Sequence, residues 1–470
     1  MKKLFLFLFL IMLSQTTYCQ KVFNTDSEKL TIKVNNKILT SNWQINSALN
    51  PDVLEVECDK KENLVTFTDE KDSISFKVRK NQKIDFIVLK NKIDTAHTQI
   101  AGIEPNVTFS KKYIKEHNGK TFVEIPEVSE LVNIIMALHK DAEKEDNMFD
   151  TRTDYYKKVK EYFKPYINHP IIDTIQKYIT DVTYNEEHDI RLFSRKSYNY
   201  YYALKMSACG YDFDKKGNIK NKGVFKEIAK GWNNFDPMKD ISLFEDFARK
   251  SNFRKFYQDY KPYYENLITT YNKLNPIQKM QSWLDNKFGF GYGSYAIYFS
   301  PLINGAHSTR RFSDDNFSQT LMFICRAEIN EKQDPVINEL LESRIVFTEI
   351  DHNYVNPVSD KFLNKINESF SNREKWTNGE ITSSYHNPYM VFNEYMTFAV
   401  YSLYIQDNYS AEKMTEYLPI MERQMEEDRG FIKFKEFNRV LLENYQQEPD
   451  IKITDLYNYI LDWALQINKA

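Results

Sequence analysis

Two segments of this sequence each open on an Asx-Pro pair and run on through an apolar stretch, and they constrain the fold more than anything else in the chain. Asp334-Pro335 places a capping side chain before a proline suited to the first helical position, and Asn356-Pro357 supplies a stop. The spacing predicts one helix between them. At about 100° per residue, Phe347, Ile350 and Tyr354 share one face. Thr348, Glu349, His352 and Asn356 share the opposite face. A polar stripe of this kind is solvated on most helices. Here it holds a carboxylate and an imidazole one turn apart, a spacing that can serve a metal.

Asn387-Pro388 repeats the start signal. Residues 389–401 are apolar nearly all round, which predicts a buried helix. Glu394 is the only ionisable side chain there apart from tyrosines. A buried carboxylate without a partner is costly, so Glu394 is expected to be protonated, paired with a cation such as Arg344, or metal-bound. Glu349 and His352 on one helix and Glu394 on the next match the layout of gluzincin-type metallopeptidases, His-Glu-x-x-His with a distal glutamate. The first histidine position holds Thr348, so the motif reads Thr-Glu-Ile-Asp-His. The plainer alternatives are a hydrogen-bonded His352 and a salt-bridged Glu394.

A chain of 470 residues has room for two or three domains. A net charge of −3 gives no electrostatic footprint for nucleic acid. With 32 Tyr and 33 Phe against 12 Gly and 14 Pro, the composition suits helices packed through aromatic contacts. Lys2-Lys3, an apolar run over 4–13 and a polar stretch over 14–20 read as a signal peptide, too short to span a bilayer. The protein is therefore expected to be exported, periplasmic or secreted, with cleavage near Cys19-Gln20. An alternative is a lipid anchor at Cys19, although Thr16-Thr17-Tyr18 fits a lipobox poorly. No later segment is long and apolar enough for a transmembrane helix. Cys58, Cys209 and Cys325 are widely separated and argue against a disulfide framework or a cysteine zinc site.

The expected fold class is α+β: a small antiparallel β domain, then a mainly helical domain with a short sheet beside the motif helix. Residues 1–20 are the signal peptide and 21–102 the β domain. Within 21–102 the alternating runs at 30–34, 64–67, 74–78 and 84–89 predict strands, with Asn35-Asn36 as a turn. Residues 103–125 read as a connector with a hairpin at Asn118-Gly119. The helical domain spans 126–470. Helical periodicity covers 126–139, 155–163, 171–184 and 243–287, and His139 ends the first of these. Tyr198, Tyr201 and Tyr202 are at helical spacing and are expected in the core. The glycine-rich 288–293 lacks the strand-before, helix-after setting of a phosphate loop. Residues 295–299 and 320–324 predict a strand and a second strand or buried helix turn. Such a strand can hydrogen-bond an extended peptide. Amphipathic helices fill the chain from 411 onward.

The sequence 300–305 (Ser-Pro-Leu-Ile-Asn-Gly), the stretch 347–357 and Phe392-Asn393-Glu394-Tyr395 together resemble secreted bacterial proteins grouped as "domain of unknown function 4932". The resemblance runs from about residue 126 to the C-terminus. It implies a zincin-like α+β fold, with Glu349 matching the catalytic glutamate, His352 the second metal histidine and Glu394 the downstream glutamate. Thr348 departs from the pattern. His307 and His386 are candidate substitutes for the missing ligand, and Glu349 could itself become one. Two functions follow as expectations. One is an exported zinc-dependent hydrolase acting on a peptide or protein substrate, with Glu349 as general base and zinc on His352 and Glu394. The other is a non-catalytic envelope binding protein on the same scaffold.

Overall fold

The computed structural model describes residues 21–469 except 28, 70, 141, 145–147, 180–194, 226, 230–235, 306, 315–316, 384, 386 and 449. The signal-peptide reading and His386 lie outside the described residues. The chain divides into two compact units, Met1–Glu104 and Pro105–Ala470, and its class is α+β.

The first unit is a sandwich of two four-stranded sheets. One, in the order β3-β2-β5-β6, joins Lys37–Gln44, Lys29–Val34, Asn63–Thr68 and Ser73–Val78. The other, β1-β7-β8-β4, joins Lys21–Thr25, Lys83–Lys90, Asp94–Ile103 and Asp52–Glu57. The pairings are antiparallel except at the edges of the second sheet, where β1 runs parallel to β7 and β4 parallel to β8. Alternate residues of both sheets meet in one core, with Phe86 4.9 Å from Phe67 and 4.7 Å from Phe76 between ring centroids. Asn35 and Asn36 take positive φ, as the tight turn from β2 to β3 demands.

The second unit is mainly helical around a small mixed sheet of β9 (Lys120–Glu124), β12 (Ser294–Phe299), β14 (Ser318–Ile324) and β13 (Ser308–Ser313). A separate short hairpin holds β10 (Tyr211–Phe213) and β11 (Ile219–Asn221). The helices are α1 (Lys111–His117), α2 (Glu127–Leu138), α3 (Asp154–Phe163), α4 (Pro170–Ile179), α5 (Arg195–Ala208), α6 (Ile241–Lys250), α7 (Phe253–Leu274) and α8 (Ile277–Phe288). They continue with α9 (Pro335–Ser359), α10 (Leu363–Ser369), α11 (Pro388–Asn408), α12 (Ala411–Arg423), α13 (Phe434–Gln447) and α14 (Ile453–Lys469). Tyr201 is fully buried and Tyr202 partly so, while the Tyr198 side chain lies outside the described residues. Cys58, Cys209 and Cys325 are free thiols. Among the described residues no helix is long and apolar enough to cross a membrane.

Two local expectations are corrected. Asn118-Gly119 is not a hairpin. Ser110 caps a helix by accepting from the Tyr113 N–H, Asn118 ends that helix, and Gly119 at φ +69° leads into β9. β9 then pairs parallel with β12, so the presumed connector supplies an edge strand. Nor does α9 stop at Asn356-Pro357. It runs to Ser359, with Pro357 in its last turn. Pro357 lacks the N–H that would bond the Asn353 carbonyl. In the same last turn the Tyr457 hydroxyl donates to the Val355 carbonyl (3.0 Å) and the Tyr389 hydroxyl to the Asn356 carbonyl (3.3 Å), tying the helix end to its neighbours.

Candidate functional site

The start signals read from the sequence position the site. Asp334 Oδ1 accepts from the backbone N–H of Val336 (2.9 Å) and Ile337 (3.2 Å), and Asn387 Oδ1 accepts from that of Met390 (2.9 Å). Each helix therefore begins at a fixed residue. The two are locked side by side by Phe347, whose ring centroid lies 4.9 Å from that of Tyr401, and by the Tyr401 hydroxyl, which donates to the Leu340 carbonyl at 2.8 Å. That register turns Glu349 and His352 of α9 toward Glu394 of α11.

His352 Nε2 lies 3.5 Å from Glu394 Oε1, and its Nδ1 lies 3.3 Å from Asn356 Oδ1 one turn on. Glu394 Oε2 accepts a 2.6 Å bond from Arg429 Nη2, which also donates to the Tyr385 hydroxyl at 3.2 Å. Glu394 is thus paired, as one alternative anticipated, but with Arg429 rather than Arg344. A π turn over Gln424–Asp428 extends α12 and delivers Arg429, whose N–H bonds back to the Gln424 carbonyl at 3.0 Å. Gly430 follows at φ +76°, where a Cβ would lie 3.1 Å from Ile381 Cβ and 3.2 Å from Asn378 Cβ. Glycine is what lets the chain turn there and leave Arg429 aimed at Glu394. Sequence reasoning missed Arg429 and Tyr385. The run Glu422 to Gly430 is polar and reads as a solvated face, and a π turn has no residue signature.

Burial alone would depress the His352 pKa. The hydrogen bond and charge of Glu394, with Asp351 and Glu349 behind, outweigh it and lift the pKa to about 9. His352 is therefore an imidazolium at neutral pH, donating from Nδ1 to Asn356 and facing Glu394 with Nε2. Burial also works against the Glu394 carboxylate, but His352 and Arg429 hold it below the ordinary glutamate range. Glu349 shifts the other way, since burial and the charge of Glu394 raise it against the pull of His352 and Arg429. Two carboxyls at one site are thus driven apart.

The other sequence candidates fare differently. Thr348 is 8 % exposed, and its hydroxyl donates back to its own helix, 3.0 Å from the Arg344 carbonyl and 3.2 Å from that of Ile345. His307 faces Cys325, with Nε2 to Sγ 3.9 Å, and burial pushes its pKa down to about 4. Among the described residues it makes no hydrogen bond or ion pair with His352, Glu349 or Glu394. Asp351, next to His352 in sequence, is fully buried, and neither carboxyl oxygen has a partner among the described residues.

β13 forms the sheet edge beside α9 and pairs antiparallel with β14, while no strand adjoins its outer edge among the described residues. Phe312 points into the core on the far face of the sheet. Thr309 lies on the near face against Glu349, and alternation puts exposed Arg311 on that face too.

Catalytic zinc is held by three protein ligands. Here the first-ligand position turns its hydroxyl into the helix, and one oxygen of Glu394 is held by a guanidinium. Among the described residues no group of three or more His, Cys, Asp or Glu side chains is placed to hold a metal ion. Among the described residues the donor set does not fit zinc. Set against protein-family models, curated proteins and solved structures, the chain matches none.

Proposed function

We propose that this chain is an exported, metal-independent binding protein whose cleft takes an extended peptide along β13. The observation that carries this reading is the 2.6 Å ion pair of Arg429 with Glu394, which engages with a cation the carboxylate that a metallopeptidase would offer to its metal. That no strand adjoins the outer edge of β13 among the described residues supports it, because an edge strand can extend its sheet onto a peptide strand. Cationic His352, Arg429 and Arg311 around that edge supply polar recognition. The competing reading is a hydrolase with Glu349 as base, and the opposed shifts of Glu349 and Glu394 are what favour it.

The experiment is a pair of measurements on the mature protein. Fluorescence anisotropy with a pool of labelled extended peptides in the presence of a chelator should show saturable binding. Added zinc should leave the melting temperature unchanged, and the peptides should stay intact. Stoichiometric zinc in the purified protein, or peptide cleavage that the chelator abolishes, would overturn the proposal in favour of the hydrolase.

A further inference from the structure

The ordered stripe on α9 does not end at Thr348. Residues 344, 348 and 352 follow at intervals of four, so Arg344 continues the same face one turn earlier. On α11 the matching step runs from Glu394 to Phe398. Phe398 is where two cations gather: its ring centroid lies 5.5 Å from Arg344 Cζ and 4.8 Å from Arg429 Cζ. Arg429 is also 5.8 Å from the Phe431 ring. One buried phenyl thus holds two guanidinium groups directly beside the His352–Glu394 pair.

Glu394, which its surroundings hold below the ordinary glutamate range, already answers both His352 and Arg429. Arg344 makes no ion pair among the described residues. The Nε atoms of Arg344 and Arg429 are both buried and have no hydrogen-bond partner among them. Glu342 does not supply the missing acceptor. It sits two residues before Arg344 on the same helix, about 160° round, and burial pushes its pKa up to about 7. A ring can hold a guanidinium, but it offers no acceptor to an N–H in its plane. The two buried Nε–H donors have no acceptor among the described residues; a ligand oxyanion would supply one, and the fork of a guanidinium fits a carboxylate.

Resting on the peptide-binding reading, we infer that Arg344 and Arg429, stacked on Phe398, form a subsite that fixes a carboxylate of the bound peptide. That carboxylate comes either from the peptide C-terminus or from an acidic side chain. The rest of the peptide runs from this anchor along β13.

The test uses the full mature chain and three fluorescein-labelled peptide pools: free C-terminal acids, the same sequences as C-terminal amides, and amides carrying one central glutamate. Binding is read by anisotropy at two salt concentrations. The inference expects the free acids, the glutamate pool or both to bind about tenfold or more tightly than the plain amides. It also expects Arg344→Gln to erase that difference, and expects the preference to shrink in high salt. The pool that shows the preference identifies the source of the carboxylate. Comparing acids with amides on the unaltered protein keeps the test decisive should Arg344→Gln fold poorly. If all three pools bind equally, the carboxylate subsite is wrong and the peptide-binding reading stands. If none binds, that reading falls and the subsite falls with it.

Discussion

His352 is the residue on which the electrostatics of the site turn. Partial burial favours the neutral imidazole, yet the carboxylate 3.5 Å away raises the pKa of His352 to about 9. The linkage follows from the direction of the shift. The stabilisation this pair gives is full below the unfolded histidine value of about 6.5 and is lost as pH rises through the folded value. Glu394 is shifted down, so its contribution is present above the unfolded glutamate value of about 4.3 and is lost as pH falls through its folded value. The pair is therefore strongest between roughly pH 4.5 and pH 6.5 and weakens as pH rises from there toward 9. Nitrogen-15 NMR titration of the imidazoles should find His352 titrating near pH 9 in the unaltered protein. In Glu394→Gln its midpoint should fall by about one pH unit or more, because the main group opposing burial is then gone. A His352 midpoint unmoved by Glu394→Gln would mean that another group holds the proton. His352 and Glu394 were legible as a pair from sequence because each is an ionisable side chain on an otherwise explicable helix face. Arg429 was not, because its role depends on a turn that tertiary packing selects.

Among the elements, α9 carries most of the site and also its largest internal strain. Phe347, Ile350, Tyr354 and Val355 bury one side of it, as the periodicity predicts. The pattern did not show that the side bearing Asp351 is buried too, since the neighbouring helices close over it only in the fold. Asp351 has no partner for either oxygen among the described residues, and burial drives its pKa well above the usual carboxylate range. A raised folded pKa means that folding binds a proton, so this residue is harmless below the unfolded value of about 3.9 and costs stability as pH rises above it, by about 1.4 kcal/mol per pH unit. Asp351→Asn and Asp351→Leu both remove that term. Thermal unfolding should show each variant close to the unaltered protein at pH 4 and increasingly more stable than it toward pH 7. Equal melting temperatures at every pH would place a cation or a hydrogen-bond donor at Asp351. The proline at 357 teaches a related lesson at the other end of the helix. Its local signal to stop is overridden, and the last turn is tied to neighbouring helices by the hydroxyls of Tyr389 and Tyr457 on the Asn356 and Val355 carbonyls.

For the whole molecule, the α+β class and the order of a β-rich part before a helical part could be read directly, since alternation of period two gives way to periodicity of 3.6 near residue 125. The strand β13 could not. Its sequence Ser-Thr-Arg-Arg-Phe-Ser buries little, and it is a strand because β14 offers it a ladder. Each unit closes its own hydrophobic core. Phe67, Phe76 and Phe86 centre that of Met1–Glu104, and the cores around α9 and the mixed sheet draw only on residues after 105. Every residue assigned here to the cleft, from Thr309 to Arg429, belongs to the second unit. A chain starting at Pro105 should therefore fold alone and bind the peptide pools within about twofold of the full mature chain, as expected of a domain that owns its core. Its melting transition should coincide with one of two transitions in the longer protein. Binding weakened tenfold or more by the truncation, with the fold intact by near-UV circular dichroism, would show that the β-sandwich contributes to recognition.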